Sequence, residues 1–156
     1  MEATAYYREK TQRILDKYGP GPRVHYHVGV YEEGVQGAQQ LDLLQRQITQ
    51  GQEDMMVVAS ECWGVPSSLR GKRVLDVGAG LGGASLWMAT HKGAQVDALV
   101  QCREHGEIIR GFAALCGLDE RIGIWVGDAH ETPCVGLAQY DAVMAMESPC
   151  YFDRRV

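Results

Sequence analysis

The chain predicts an α/β fold: a Rossmann-like parallel sheet covered by helices and preceded by a helical section. Three observations carry this. Val74, Leu75 and Val77 make an apolar run around a single acid, as suits a strand covered on both faces. Gly78, Gly80 and Gly82 follow at once, and Ala84-Ser-Leu-Trp-Met-Ala then begins a helix. From Lys72 onward, strand-like and helix-like segments alternate.

The elements follow in order. Residues 3–18 read as a helix stopped by Gly19-Pro20-Gly21-Pro22. Arg23 to Tyr31 is an aromatic, histidine-rich connector. Residues 36–62 read as largely helical, with Leu41, Leu44, Ile48, Met55 and Val58 near helical spacing and assigned to the core, as are Trp87 and Met88. Strands are expected at 73–77, 95–100, 121–126 and 141–146, helices at 82–91 and 103–116, and a short turn near 134–139. Right-handed crossovers place a ligand site at the carboxyl ends of these strands. The natural division is a helical lid or substrate section, 1–71, and a ligand-binding α/β core, 72–156.

Composition narrows the function classes. Charged content of 22% against 46% hydrophobic residues is ordinary for a globular protein. A net charge of −5 argues against a nucleic-acid surface, and no apolar run is long enough for a membrane span. The expected partner is therefore a small molecule. The N-terminus lacks an apolar signal segment. Cysteines at 62, 102, 116, 134 and 150 are odd in number and lack CxxC spacing. Reduced thiols and a cytoplasmic location are thus expected, without a metal site.

The glycine loop admits two nucleotide readings. Gly78-x-Gly80-x-x-Gly83 fits a dinucleotide fingerprint, but that fingerprint needs an acid about 20 residues on. Val100 and Gln101 stand there instead, and Asp76 stands two residues before the first glycine. An acid at that point suits a cationic ligand rather than a pyrophosphate. The run Asp76-Val-Gly78-Ala-Gly80-Leu-Gly82 resembles the first motif of class I S-adenosylmethionine (SAM)-dependent methyltransferases. Gly127-Asp128-Ala129 after the third strand, Asp141-Ala-Val at the fourth and Glu147-Ser148 after it resemble further motifs of that family. The Tyr6-Tyr7 helix and His25-Tyr-His-Val-Gly-Val-Tyr31 are similar to its sarcosine/dimethylglycine N-methyltransferase-like branch of small-molecule enzymes.

The resemblance implies SAM as cofactor and methyl transfer to an amine or hydroxyl of a metabolite or natural product. It implies cofactor contacts from Asp76, Gly78, Ala79, Gly80, Gly82, Asp128, Ala129 and His130, with Asp128 against the adenine. Gln101 stands beside the place of the family's ribose-binding acid, and Tyr7 and Tyr26 are candidate lid aromatics. His25 and His27 are candidate bases, and Glu147 a candidate for binding an acceptor amine. Asp128 has a second reading as the cap of its own turn. The family's sheet has seven strands and four are found here; the resemblance implies that the first is central, with two strands on one side and the fourth on the other. A shortened protein is therefore expected, or one whose fourth-strand edge is covered by self-association. A non-catalytic SAM-fold module or partner subunit is the rival reading.

Overall fold

The computed structural model describes residues 3–33, 37, 39–134 and 139–148. Helix α1 is Ala3–Tyr18 and α2 is Leu41–Cys62. Strand β1, Arg73–Val77, leads through the glycine loop into α3, Gly83–Trp87, which continues as a π-helical turn, Met88–Lys92. Then come β2, Gln95–Val100; α4, Arg103–Leu115; β3, Ile122–Val126; a 3-10 segment, Ala129–Cys134; and β4, Ala142–Met144.

The sheet is parallel throughout, in the order β3-β2-β1-β4, so β1 is central as the family resemblance implies. Val74 and Leu75 are fully buried, as are Val96, Ala98, Leu99 and Val100 of β2. One face packs on Leu81, Leu86, Trp87 and Met88 with Ile14, Val24 and Met56. Burying a large aliphatic side chain contributes about 1.5–3 kcal/mol, so this shared core fixes the N-terminal section against the sheet. Ala98, Val100 and Ile109 form a second cluster, with Ala79 of the loop against it.

Three element readings need correction. Helix α2 begins at Leu41 because Gln40 is extended, with φ −89° and ψ 134°. Its buried residues are Gly51, Gln52, Met56 and Ser60, whereas Leu41 and Val58 are exposed. Leu44, Ile48 and Met55 are half-buried, so the apolar spacing matches the packing face only in part. The helix expected over 82–91 opens into the π turn, and His91 stacks on Trp87 there with ring centroids 5.0 Å apart. Strand β4 is shorter than 141–146. At its start, the Asp141 carboxylate takes the Arg73 N–H at 2.8 Å and the Lys72 ammonium at 2.8 Å. At its end, Met146 and Glu147 turn into the wall of a cavity, Glu147 with φ 52°. Residues 135–138 of the expected 134–139 turn lie outside the described residues, and the segment ahead of them is the 3-10 turn. Ala142 and Val143 are exposed on β4.

Candidate functional site

A cavity of about 1140 Å³ opens at the carboxyl ends of β1, β2 and β3. That exceeds the roughly 300–1,000 Å³ of a typical ligand pocket. Its floor is the glycine loop. Gly78, Gly80 and Gly82 all have positive φ, which only glycine adopts readily. A Cβ on Gly80 would meet nothing within 4 Å, so this turn of backbone faces open space. A Cβ on Gly82 would stand 2.7 Å from Ile109 Cγ1, and Gly82 N–H donates to Ala79 O at 2.8 Å. Gly82 does not line the cavity; it lets the loop pack on α4.

Asp76 sits at the end of β1 and is 1% exposed. Ser85 Oγ, in α3, donates to its Oδ2 at 2.6 Å. Burial pushes the Asp76 carboxyl up to about 6, against the pull of that bond. A buried carboxylate with one hydroxyl partner is a receptor for a cation, because a positive group beside it offsets the desolvation cost.

Beyond β2 and β3, Gln101, Asp128, Ala129 and His130 form one side of the cavity. Asp128 Oδ1 accepts the His130 backbone N–H at 2.8 Å and meets His130 Nδ1 at 2.7 Å. Those bonds, the backbone one first, hold the Asp128 carboxyl below the usual range, and the Gln101 side chain adds to the effect. The capping role of Asp128 is therefore real, and its place in the cavity wall coexists with it. Val100 occupies the expected ribose position as a buried apolar residue, with Gln101 next to it at the wall.

The cap of the cavity is the connector between α1 and α2. Gln52 of α2 donates from Nε2 to His25 O at 3.1 Å and to His27 O at 2.7 Å. Val30 N–H donates to Gly51 O, and a Cβ on Gly51 would collide with the Tyr31 ring. Here is why α2 buries a glycine and a glutamine: that face receives the connector's backbone. From below, a Cβ on Gly83 would stand 2.6 Å from Val24 O and 2.7 Å from His25 Cγ. From the side, Val28 N–H donates to Glu147 Oε1 at 3.1 Å. Ser148 Oγ closes the same loop on Val77 O at 2.5 Å.

The two histidines are in contact. His25 Nδ1 and His27 Nε2 are 3.0 Å apart, and His27 Nδ1 is 2.7 Å from Val28 O. His25 is 1% exposed, and burial, then His27 and Arg23, lowers its pKa to about 3. Its Nε2 is buried without a hydrogen-bond partner.

The cavity thus gathers His25, Tyr26, His27, Asp76, Gly78, Ala79, Gly80, Gln101, Asp128, Ala129, His130 and Glu147, residues singled out from the sequence. The Tyr7 side chain lies outside the described residues. Sequence reasoning missed Gln52 and Gly83 as supports, and Ile14, Tyr18, Val28, Ile48 and Met146 as apolar walls. The one available signal was a glutamine beside a glycine in an otherwise apolar helical stripe. Among the described residues, no helix is long and apolar enough to cross a membrane.

No family model matches the chain. It is 34% identical over 126 residues to a protein of Oryza sativa subsp. japonica named probable tocopherol O-methyltransferase, chloroplastic; the match covers 80% of this chain and 33% of that protein. It is 35% identical over 78 residues to the sarcosine/dimethylglycine N-methyltransferase of Aphanothece halophytica, covering 50% of this chain and 28% of that enzyme. Among solved structures, geranyl diphosphate C-methyltransferase from Streptomyces coelicolor A3(2), in complex with Mg2+, geranyl diphosphate and S-adenosyl-L-homocysteine, superposes with a TM-score of 0.74. That match has 16% identity and covers 98% of this chain and 58% of that one. The matched segments span 27–33% of the length of the curated relatives. Its fold is that of the class I SAM-dependent methyltransferases, and in sequence it resembles their small-molecule enzymes.

Proposed function

We propose that the protein is a SAM-dependent methyltransferase acting on a small-molecule acceptor. The observation that carries this is the juxtaposition of a buried Asp76 carboxylate with an open glycine cradle, at the carboxyl ends of three parallel strands. The residues present fit the cofactor. Gly80 leaves the space a Cβ would fill, and Gly127 likewise has nothing within 4 Å of an added Cβ. Asp76 complements a cationic ligand near the loop, Gln101 can meet the ribose hydroxyls in place of an acid, and Asp128 with Ala129 and His130 flanks the adenine. Tyr26 of the cap faces the remaining space, and Tyr7 on α1 is its companion in this reading. When bound, SAM supplies a sulfonium-activated methyl group. The chain's own part is to align the acceptor and exclude water.

Residues 1–71 act as lid and acceptor section over the core of 72–156. Relatives named as methyltransferases of tocopherol, sarcosine and norajmaline support the catalytic reading over a non-catalytic module. The free thiols of Cys62, Cys102 and Cys116 suit a reducing compartment such as the cytoplasm, and the net charge of −5 suits a small-molecule partner rather than nucleic acid. Isothermal titration tests the reading. SAM should bind in the micromolar range, roughly −8 kcal/mol, and its demethylated product should compete for the same site. A folded chain that binds neither overturns it.

A further inference from the structure

We propose that His25 and His27 form a two-ring proton relay, and that the methyl acceptor is correspondingly a hydroxyl group, such as a phenol. This rests on the methyltransferase reading and deepens it. The geometry fixes the tautomers. Val28 O only accepts, so His27 Nδ1, 2.7 Å away, carries the proton and donates. With His27 neutral, its Nε2 is then a bare lone pair. His25 Nδ1, 3.0 Å from it, must carry a proton and donate. His25 Nε2 is left as a lone pair, buried and without a partner, on a residue of the cavity wall. A buried acceptor left unmet costs free energy, and a donor on a bound ligand is what satisfies it.

The support around the pair is dedicated to holding it. Gln52 grips the carbonyls of both histidines, Gly83 lets the His25 ring lie on the first turn of α3, and Glu147 anchors Val28 by its N–H. Arg23 is the charged group that disfavours a proton on His25, and Glu147 is the carboxylate on the far side of Val28. A charge lodged on His25 itself would be buried, whereas His27 is half-buried and reaches toward water. The relay moves the charge outward.

The step balances as follows. The hydroxyl oxygen bonds to the transferred methyl carbon while the carbon–sulfur bond breaks, its electron pair going to sulfur. The O–H proton passes to His25 Nε2, and the Nδ1 proton of His25 crosses to His27 Nε2. The products are a methyl ether, the neutral thioether and an imidazolium on His27. An amine acceptor needs no such removal once it attacks as the free base, so the relay favours a hydroxyl.

The test is long-range proton–nitrogen NMR on the full chain with labelled histidines, with the His27→Gln variant alongside. Glutamine offers His25 Nδ1–H an acceptor oxygen but cannot take its proton. His25 should show a bare Nε2 and a protonated Nδ1 in both proteins. A wild-type His25 protonated at Nε2 overturns the relay. Steady-state methyl transfer to simple phenols and to secondary amines follows. The wild type should prefer phenols, and His27→Gln should lose roughly a hundredfold in kcat, with KM and SAM affinity held. Preference for amines, or an unaltered rate with phenols in His27→Gln, overturns the proposal. SAM failing to bind the wild type would instead remove the methyltransferase reading and leave the tautomers as measured.

Discussion

The floor of the cavity and its cap both present polar atoms inside an apolar cleft, by different means. The floor is one continuous stretch, Asp76 to Gly83, whose turns come from positive-φ glycines and whose carboxylate is held by Ser85 nine residues on. The cap, Val24 to Tyr31, has no regular structure of its own. It is held by Gln52 and Gly51 of α2, by Gly83 of the floor and by Glu147 after β4. Local chemistry shapes the floor; contacts distant in sequence shape the cap. The two also store opposite electrostatic costs, a carboxyl raised by burial below and an imidazole lowered by burial above.

The largest effect should come from breaking the floor without touching the cap. Gly80→Val puts a side chain into the open cradle at a backbone φ of 57°. SAM affinity should fall more than a hundredfold, about 3 kcal/mol or more, in a chain that still melts cooperatively. Unchanged affinity in a folded variant would mean that the cradle does not face the ligand.

Asp76→Asn removes the buried charge while keeping an acceptor for Ser85. Above pH 7 the ligand-free variant should be more stable than the wild type by about 3 kcal/mol, from a carboxyl raised from 3.8 to about 6. Its SAM affinity should drop. Denaturant unfolding with and without SAM separates the two; a loss of ligand-free stability would contradict the electrostatic account.

The pH dependence sharpens the comparison. Asp76 has a raised folded pKa, so its contribution favours folding at low pH and is lost as pH rises from about 4 through about 6. His25 has a lowered folded pKa, so its contribution is present above pH 6.5 and is lost as pH falls toward about 3. Between about pH 4 and 6 the two oppose each other. In Asp76→Asn the stability should therefore climb with pH by up to about 1.4 kcal/mol per unit, and in His25→Gln it should decline with pH by a similar slope. Parallel slopes in both variants would show that the two groups do not carry these opposite costs.

Asp128→Ala is the mildest test. Loss of one ligand contact and one turn cap should weaken SAM binding by about 1–3 kcal/mol. The exposed cap itself should cost stability about 1 kcal/mol or less. Matched losses in ligand-free stability with SAM affinity intact would assign Asp128 to its turn alone.

How much of this was legible follows the same division. The apolar run of Val74 to Val77 and the glycines behind it specify a buried strand, a turn and a helix start through backbone freedom and burial alone. The order of β3, β2, β1 and β4 is the one the family resemblance implies; right-handed crossovers alone do not select it. The apolar spacing of α2 misled, because Leu41 and Val58 face out while Gly51 and Gln52 face in. Hydrophobic periodicity reports an apolar packing face, and this face sends Met56 into the core while Gly51 and Gln52 receive a polar backbone.

The sequence by itself determined the α/β class, the ligand end of the sheet and the residues of the floor, since each depends on neighbours a few positions away. It also supplied His25, His27 and Glu147 as candidates, by residue type. Only the tertiary structure decided what they do to one another. Glu147 fixes Val28, the Val28 carbonyl orients His27, and His27 orients His25 across 119 positions of chain at its widest link. It likewise placed Gly82, a candidate cofactor contact by sequence, in packing against Ile109. The physical reason is that hydrogen-bond direction and steric fit are properties of atoms brought together by folding, and no spacing along the chain records them.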